Sequence, residues 1–334
     1  MPYRNLIEKI WAQKNLISYL LAPLSGFYRL GMAIRKWSYQ LGLRKVNSFD
    51  VPVIIVGNIT VGGSGKTPLV IALVEWLKNQ GWRPGIVSRG YGAIYSHTLP
   101  QTVFASSDVN KVGDEAILLA HKTACPMVVC KNRVYAVASL LTQFSCNVVI
   151  SDDGLQHLRL NRNIEIAVVD GARRYGNEFC LPAGPLREPL CRLNTVDMIV
   201  NNGGNREGEY PMRLVPKNIY QLINPHNVLS VTAVQGRPVH AIAGIGNPQR
   251  FFKTLENLGF QFSAHSFPDH HLFQKENFNF EQDAIIIMTE KDAVKCQGFA
   301  DSSYWCLPVR AELPEAFFLK IQKKIMNQLS PSLY

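Results

Sequence analysis

The N-terminal region lacks an apolar run long enough to cross a bilayer. Its uncharged stretch, Asn15 to Tyr28, has 14 residues and carries Pro23 and Gly26, whereas a spanning helix needs about 20 apolar residues. No small-x-small cleavage site follows it, which speaks against a secretory signal. The seven cysteines form no close metal-type pair, and an odd number scattered through apolar segments fits buried thiols in a reducing compartment. Internal repeats and low-complexity tracts are missing too. With 47% hydrophobic and only 18% charged residues, disorder is not expected, and 334 residues suit about two globular domains.

Acidic residues are scarce in one segment above all. Residues 1–45 hold Glu8 alone against Arg4, Lys9, Lys14, Arg29, Arg35, Lys36, Arg44 and Lys45, which supplies +7 of the net +10. Tyr3, Trp11, Tyr19, Phe27, Tyr28, Trp37 and Tyr39 are interleaved with them. Amphipathic rings beside basic side chains suit the headgroup level of an anionic membrane, and the segment is expected to form a pair of helices inserted into one leaflet. The competing reading is an amphipathic helix packed on the protein's own core.

Beyond the leader, the β-branched run Val51–Val56 is followed by a glycine-rich turn and a helical pattern at Pro68–Lys78. Further strand patterns at Gly85–Val87, Met127–Cys130, Asn147–Ile150, Ile164–Val169 and Asp197–Val200 alternate with helical ones at Glu115–His121 and Arg133–Gln143. Such alternation predicts an α/β fold with a mostly parallel sheet flanked by helices. The polar stretch Asn201–Tyr210 reads as a linker. Past it, Val239–Ala243, Pro248–Leu258, Ala284–Met288 and the segment from Ala293 suggest a smaller second α/β domain. The expected division is 1–45 leader, 46–205 a first α/β domain, and 206–334 a smaller α/β domain closing over it.

The turn between the first strand and helix reads Thr60-Val61-Gly62-Gly63-Ser64-Gly65-Lys66-Thr67. Strand, glycine-rich loop, Lys-Thr and helix together make a phosphate-binding loop. Its backbone N–H groups and the helix N-terminus attract phosphate oxygens, Lys66 reaches the β/γ-phosphates and Thr67 can ligate Mg²⁺. Thr60 stands where the strict pattern has glycine, so the entry to the loop must differ locally. A P-loop also needs a carboxylate at a neighbouring strand end; Asp152 or Asp153 supplies it, unless the pair with Gly154 is only a turn.

These residues, with Ser88-Arg89-Gly90-Tyr91-Gly92, Val112-Gly113-Asp114-Glu115, Asp152-Asp153-Gly154-Leu155-Gln156-His157, Pro182-Ala183-Gly184-Pro185-Leu186-Arg187-Glu188-Pro189 and Thr289-Glu290-Lys291-Asp292, resemble the tetraacyldisaccharide 4′-kinase family of lipid A biosynthesis. The resemblance implies transfer of the γ-phosphoryl of ATP, with Mg²⁺, to the 4′-hydroxyl of a lipid-linked disaccharide 1-phosphate at the cytoplasmic face of the inner membrane. It implies Asp114 as the base, with His270 of Phe267-Pro268-Asp269-His270-His271 tuning it and His271 as a competitor. Arg89, Tyr91, Arg187 and Glu188 are expected to bind substrate, the two arginines either clamping substrate or ATP phosphates or standing solvated in their loops. Taken alone, Asp114 reads as a helix cap and His270 as a loop histidine. Thr289–Asp292 either meets the nucleotide base or caps a helix. The expected partners are the lipid substrate and an anionic membrane surface, without nucleic acid, for a monomeric enzyme. The rival function is a membrane-associated P-loop ATPase or GTPase switch, which would release inorganic phosphate.

Overall fold

The computed structural model describes residues 7, 9–93, 98–234, 236–281 and 283–329, so Tyr3, Arg4 and Glu8 of the leader lie outside it. The leader is mainly one 25-residue helix, α1 (Leu16–Gln40), preceded by helical residues 9–12. Asn15 starts it with a reciprocal cap: its side chain accepts from Ser18 N while Ser18 Oγ accepts from Asn15 N. Pro23 sits inside the helix rather than ending it.

Eight strands follow: β1 (Val53–Gly57), β2 (Pro84–Ser88), β3 (Gln101–Thr102), β4 (Met127–Val129), β5 (Val148–Asp152), β6 (Ile164–Asp170), β7 (Met198–Asn202) and β8 (Tyr210–Pro216). Between them run α2 (Lys66–Asn79), the single turn α3 (Val109–Val112), α4 (Asp114–Thr123) and α5 (Arg133–Gln143). The sheet is parallel except at its two edges. Its central strands are buried on both faces, which is why β1 and β5 are near-continuous β-branched runs instead of alternating ones. Ile54 and Val56 meet the α2 stripe Leu69, Leu73 and Leu77, while Val53 and Ile55 meet Ala136, Val137 and Leu140 of α5. Each fully buried Leu of the stripe contributes about 1.5–3 kcal/mol relative to exposure.

The chain then builds a second sheet from β9 (Ile219–Gln221), β10 (Val228–Leu229), β11 (Val239–Ala243), β12 (Ser263–Ser266), β13 (Ile285–Thr289) and β14 (Tyr304–Leu307), with α6 (Pro248–Asn257) and α7 (Glu290–Cys296). It does not stay there. β15 (Val309–Glu312) returns to the first sheet beside β8, and α8 (Glu315–Leu329) buries Phe317, Ile321 and Ile325 in the first core. Sheet membership therefore departs from a division at 205/206: β8, β15 and α8 belong with the first sheet. The Asn201–Tyr210 stretch is a tight β7–β8 connection, with Asn201 buried and its amide donating to Glu209. The two segments that pass between the sheets are tied by Lys217 N donating to Pro308 O at 2.9 Å. Five cysteines are buried as expected; Cys146 is half-buried and Cys191 exposed.

Candidate active site

The Thr60–Thr67 loop is held by the Pro182–Pro189 segment. Val61 N donates to Pro185 O, Arg187 N donates to Ile59 O, and Thr60 bridges Leu186 as an extended pair. An extended residue in a β-bridge has no need of glycine, which accounts for Thr60. Glycine is required later: Gly65 caps α2 with φ 93°, and a Cβ there would run into the Asn202 amide that donates to Ser64 O.

Lys66 Nζ lies 3.4 Å from Asp153 Oδ1 and 3.4 Å from Asn58 Oδ1. Arg187 grips the same carboxylate at 3.0 and 3.2 Å, and Asp153 takes a left-handed φ of 49°. Burial alone would raise the Asp153 pKa; the Lys66 and Arg187 charges outweigh it and hold the carboxyl well below its usual range. Its neighbour Asp152 is wholly buried at the end of β5, and burial together with the Glu115 charge pushes it up. Among the described residues Asp152 Oδ1 has no hydrogen-bond partner.

Across the cleft, Asp114 opens α4 after Gly113, whose φ of 90° excludes a side chain and whose missing Cβ leaves room for the Tyr91 carbonyl. Gly113→Ala is expected to cost more than about 1 kcal/mol of stability and to reduce turnover by displacing Asp114; thermal unfolding with steady-state kinetics checks both, and an unchanged enzyme would contradict the requirement. Asp114 is buried, and His270 Nδ1 lies 2.9 and 3.1 Å from its two oxygens. His271 instead packs against Phe267 and Phe273, so of the two histidines His270 is the one that meets Asp114. Tyr91 stands edge-on to the His270 ring at 4.8 Å.

Two lysines of α7 complete this corner. Lys291 Nζ reaches Glu115 Oε1 at 2.9 Å, Asp269 Oδ1 at 3.0 Å and His270 Nε2 at 3.3 Å, and Lys295 Nζ lies 2.8 Å from Asp292 Oδ1 and 3.7 Å from Asp114 Oδ2. Burial would raise the Asp114 pKa, but the His270 hydrogen bond and the Lys291 charge lower it. Thr289 caps α7 by accepting from Asp292 N, the helix-cap alternative, while Thr289, Glu290 and Lys291 also face the cleft.

One cleft of about 1900 Å³ joins these parts, lined by Gly62–Thr67, Arg89, Tyr91, Asp152, Asp153, Arg187 and His270. Arg89 and Tyr91 are exposed to it. Glu188 is differently placed: its carboxylate is taken by Gln156 Nε2 at 2.6 Å and Arg192 at 3.2 Å, and it does not line the cleft. Asp114 sits behind His270 and Glu115, which do. Sequence reasoning passed over Asn58, Asn202 and Lys295; only their positions at strand ends or beside a recognised motif mark them.

A family model for tetraacyldisaccharide-1-P 4′-kinases matches residues 17–326. Proteins named tetraacyldisaccharide 4′-kinase are 51% identical over 92% of this chain and 92% of the relative from Coxiella burnetii, and 47% identical over 94% and 93% for Nitrosococcus oceani. The solved LpxK from Aquifex aeolicus in complex with ATP superposes with a TM-score of 0.77 at 30% identity, covering 94% of this chain and 99% of that one.

Proposed function

Because the chain belongs to the tetraacyldisaccharide-1-P 4′-kinase family, we propose that it transfers the γ-phosphoryl of ATP to the 4′-hydroxyl of a tetraacylated disaccharide 1-phosphate, forming the lipid A precursor. The observation that carries this reading is a single cleft with the Lys66 loop on one wall and the Asp114–His270 pair on the other. In the transfer the acceptor oxygen bonds to the γ-phosphorus, the bond to the β–γ bridging oxygen breaks, and ADP leaves. The Asp114–His270 pair takes up the hydroxyl proton; since His270 and not Asp114 lines the cleft, the expected roles are exchanged, with His270 facing the acceptor and Asp114 fixing its ring. Lys66, released from Asp153, stabilises phosphate charge, and Arg89 and Arg187 flank the acceptor side. Thr67 with Asp152, whose buried oxygen lacks a partner, fits Mg²⁺, with Asp153 beside them. The ion would neutralise charge on the phosphates. Among the described residues no three His, Cys, Asp or Glu side chains are grouped to hold a metal alone, so this fit assigns the remaining ligands to nucleotide and water.

A nucleotide switch would use the loop but has no use for an acid–base pair facing an acceptor site. Following label from the γ-phosphate separates them: lipid fraction for the kinase, inorganic phosphate for the switch.

The leader supports a membrane-borne acceptor. Among the described residues no helix is long and apolar enough to cross a membrane. The side of α1 toward the protein is docked by both hydrogen bonds and apolar packing: Ser25 Oγ donates to Cys180 O at 2.6 Å and Tyr28 Oη to Arg187 O at 3.0 Å, while Tyr28 and Met32 pack against the core on the α5 side of the first sheet. The opposite stripe is apolar and open, with Leu16, Leu20, Phe27 and Trp37 at 75%, 71%, 73% and 60% exposure. We assign that stripe to one leaflet of an anionic membrane. Neutralising Arg29, Arg35 and Lys36 should weaken liposome binding by about 1 kcal/mol per charge at low salt, measured by sedimentation. Salt-insensitive, undiminished binding would contradict this placement.

A further inference from the structure

α7 carries a second lysine, Lys295, that lies outside the cleft. Its side chain is 2% exposed, and its ammonium stands 4.9 Å from the centre of the Phe273 ring. A charge buried in this way costs free energy unless carboxylates hold it. Two do: Asp292 Oδ1 at 2.8 Å and Asp114 Oδ2 at 3.7 Å, both on buried side chains. Asp292 is fixed by its other oxygen, which accepts from Gly244 N at 2.9 Å and from Thr289 Oγ1 at 2.7 Å. Gly244 permits that packing, because a Cβ there would lie 2.9 Å from Asp292 Oδ1 and 3.3 Å from the Phe273 ring. The second sheet thus anchors Asp292, and Asp292 anchors Lys295 against Asp114, which itself sits behind His270.

What Asp114 does for His270 depends on its charge. A carboxylate only accepts, so ionised Asp114 draws the His270 proton to Nδ1, 2.9 Å from Oδ1, and leaves Nε2 with its lone pair, met by Lys291 Nζ at 3.3 Å. A protonated Asp114 donates to Nδ1 instead. The imidazole proton then sits on Nε2, and the ring has no site for the acceptor's hydroxyl proton. Burial favours the protonated form of Asp114; the His270 hydrogen bond, Lys291 and Lys295 oppose it. The two lysines are not equivalent. Lys291 lines the cleft, is shared with Glu115 and Asp269, and faces the phosphates once nucleotide binds. Lys295 is shielded from water, where its field is less screened. Of the other titratable groups on the packed elements, Lys122 pairs with Glu290 and Tyr91 stands against the His270 ring. Building on the kinase reading above, we propose that Lys295 is a positioning residue for phosphoryl transfer: it acts through Asp114, holding the carboxylate as the anion that keeps His270 Nε2 open to the acceptor proton.

The test is the pH profile of kcat/KM for lipid phosphorylation in wild type and in Lys295→Met, which keeps the length of the side chain and removes its charge. The expected result is an acid limb displaced upward by about one pH unit, with about a tenfold loss on the acid side and recovery toward the wild-type plateau as pH rises. The KM for ATP stays unchanged, since Lys295 does not line the cleft. The NMR titration of the His270 imidazole, read in resting protein without ATP or lipid, moves upward as well, because both readouts report proton uptake by the coupled pair. An equal loss at every pH, with the acid limb and the His270 titration unmoved, would overturn the proposal and leave Lys295 as a packing partner of Asp292. If Lys295→Met does not fold, Lys295→Met/Asp292→Asn carries the same two readouts; it leaves no unpaired carboxylate at 292 and keeps an oxygen for Gly244 and Thr289. If wild type transfers no label to lipid, the kinase reading itself fails, while the His270 titration still decides whether Lys295 governs the pair.

Discussion

Lys66→Ala lowers phosphoryl transfer by about 10²–10³-fold, the effect of removing one preorganised charge donor from a transition state. It does so in a folded protein. Among the described residues the Lys66 ammonium meets the Asp153 carboxylate and the Asn58 amide oxygen, and Arg187 continues to hold Asp153 when the lysine is gone. Steady-state turnover with a parallel thermal unfolding curve measures both halves of the claim. A folded variant with full activity would remove the phosphate-loop assignment, and loss of folding would show that the Lys66–Asp153 contact carries structure instead.

Asp114→Asn is the second large effect, a fall in turnover of about 10²-fold or more with nucleotide binding retained. The amide keeps the shape of the carboxylate but removes the charge that His270, Lys291 and Lys295 surround. Combining it with His270→Ala should not multiply the two losses, since groups acting as a unit are non-additive; fully multiplicative losses would mean that they act separately. The pair also ties the two sheets together, with Asp114 on α4 and His270 beyond β12. Because the folded Asp114 pKa is lowered, its stabilising contribution is present above the unfolded value of about 3.9 and is lost as pH falls through the folded pKa. Acid should therefore loosen this corner, and the asparagine variant should lose that part of the acid response.

Much of this was open to reading in the chain itself, and the limits have physical causes. β1, the glycine-rich loop and α2 are local: a buried β-branched run, two positive-φ glycines and an apolar stripe at 69, 73 and 77 need no distant partner to be recognised. The parallel strands are likewise marked by their hydrophobic runs. The return of β15 and α8 to the first sheet is not, because the 317, 321, 325 spacing dictates an apolar face without saying which core receives it. The meeting of Asp114 with His270, 156 residues away, follows from the sheets facing each other across the cleft. Motif resemblance brought those two together; local pattern left one a cap and the other a loop residue. Glu188 shows the opposite limit, since its place in a motif suggested the acceptor while its carboxylate is engaged by Gln156 and Arg192. The leader's aromatic and basic residues pointed to a membrane surface, but which face docks on the protein and which stays open emerges only once Ser25 and Tyr28 find partners on the Cys180–Arg187 segment.

The most direct test of the account measures ADP and phosphorylated lipid in one reaction of the purified protein with ATP, Mg²⁺ and detergent-dispersed tetraacyldisaccharide 1-phosphate. Each ADP formed should be matched by one new phosphomonoester at the 4′ position of the lipid, by mass and phosphorus spectroscopy, and both should vanish in Lys66→Ala. ADP matched by inorganic phosphate, with the lipid unchanged, would contradict the account and leave a nucleotide hydrolase.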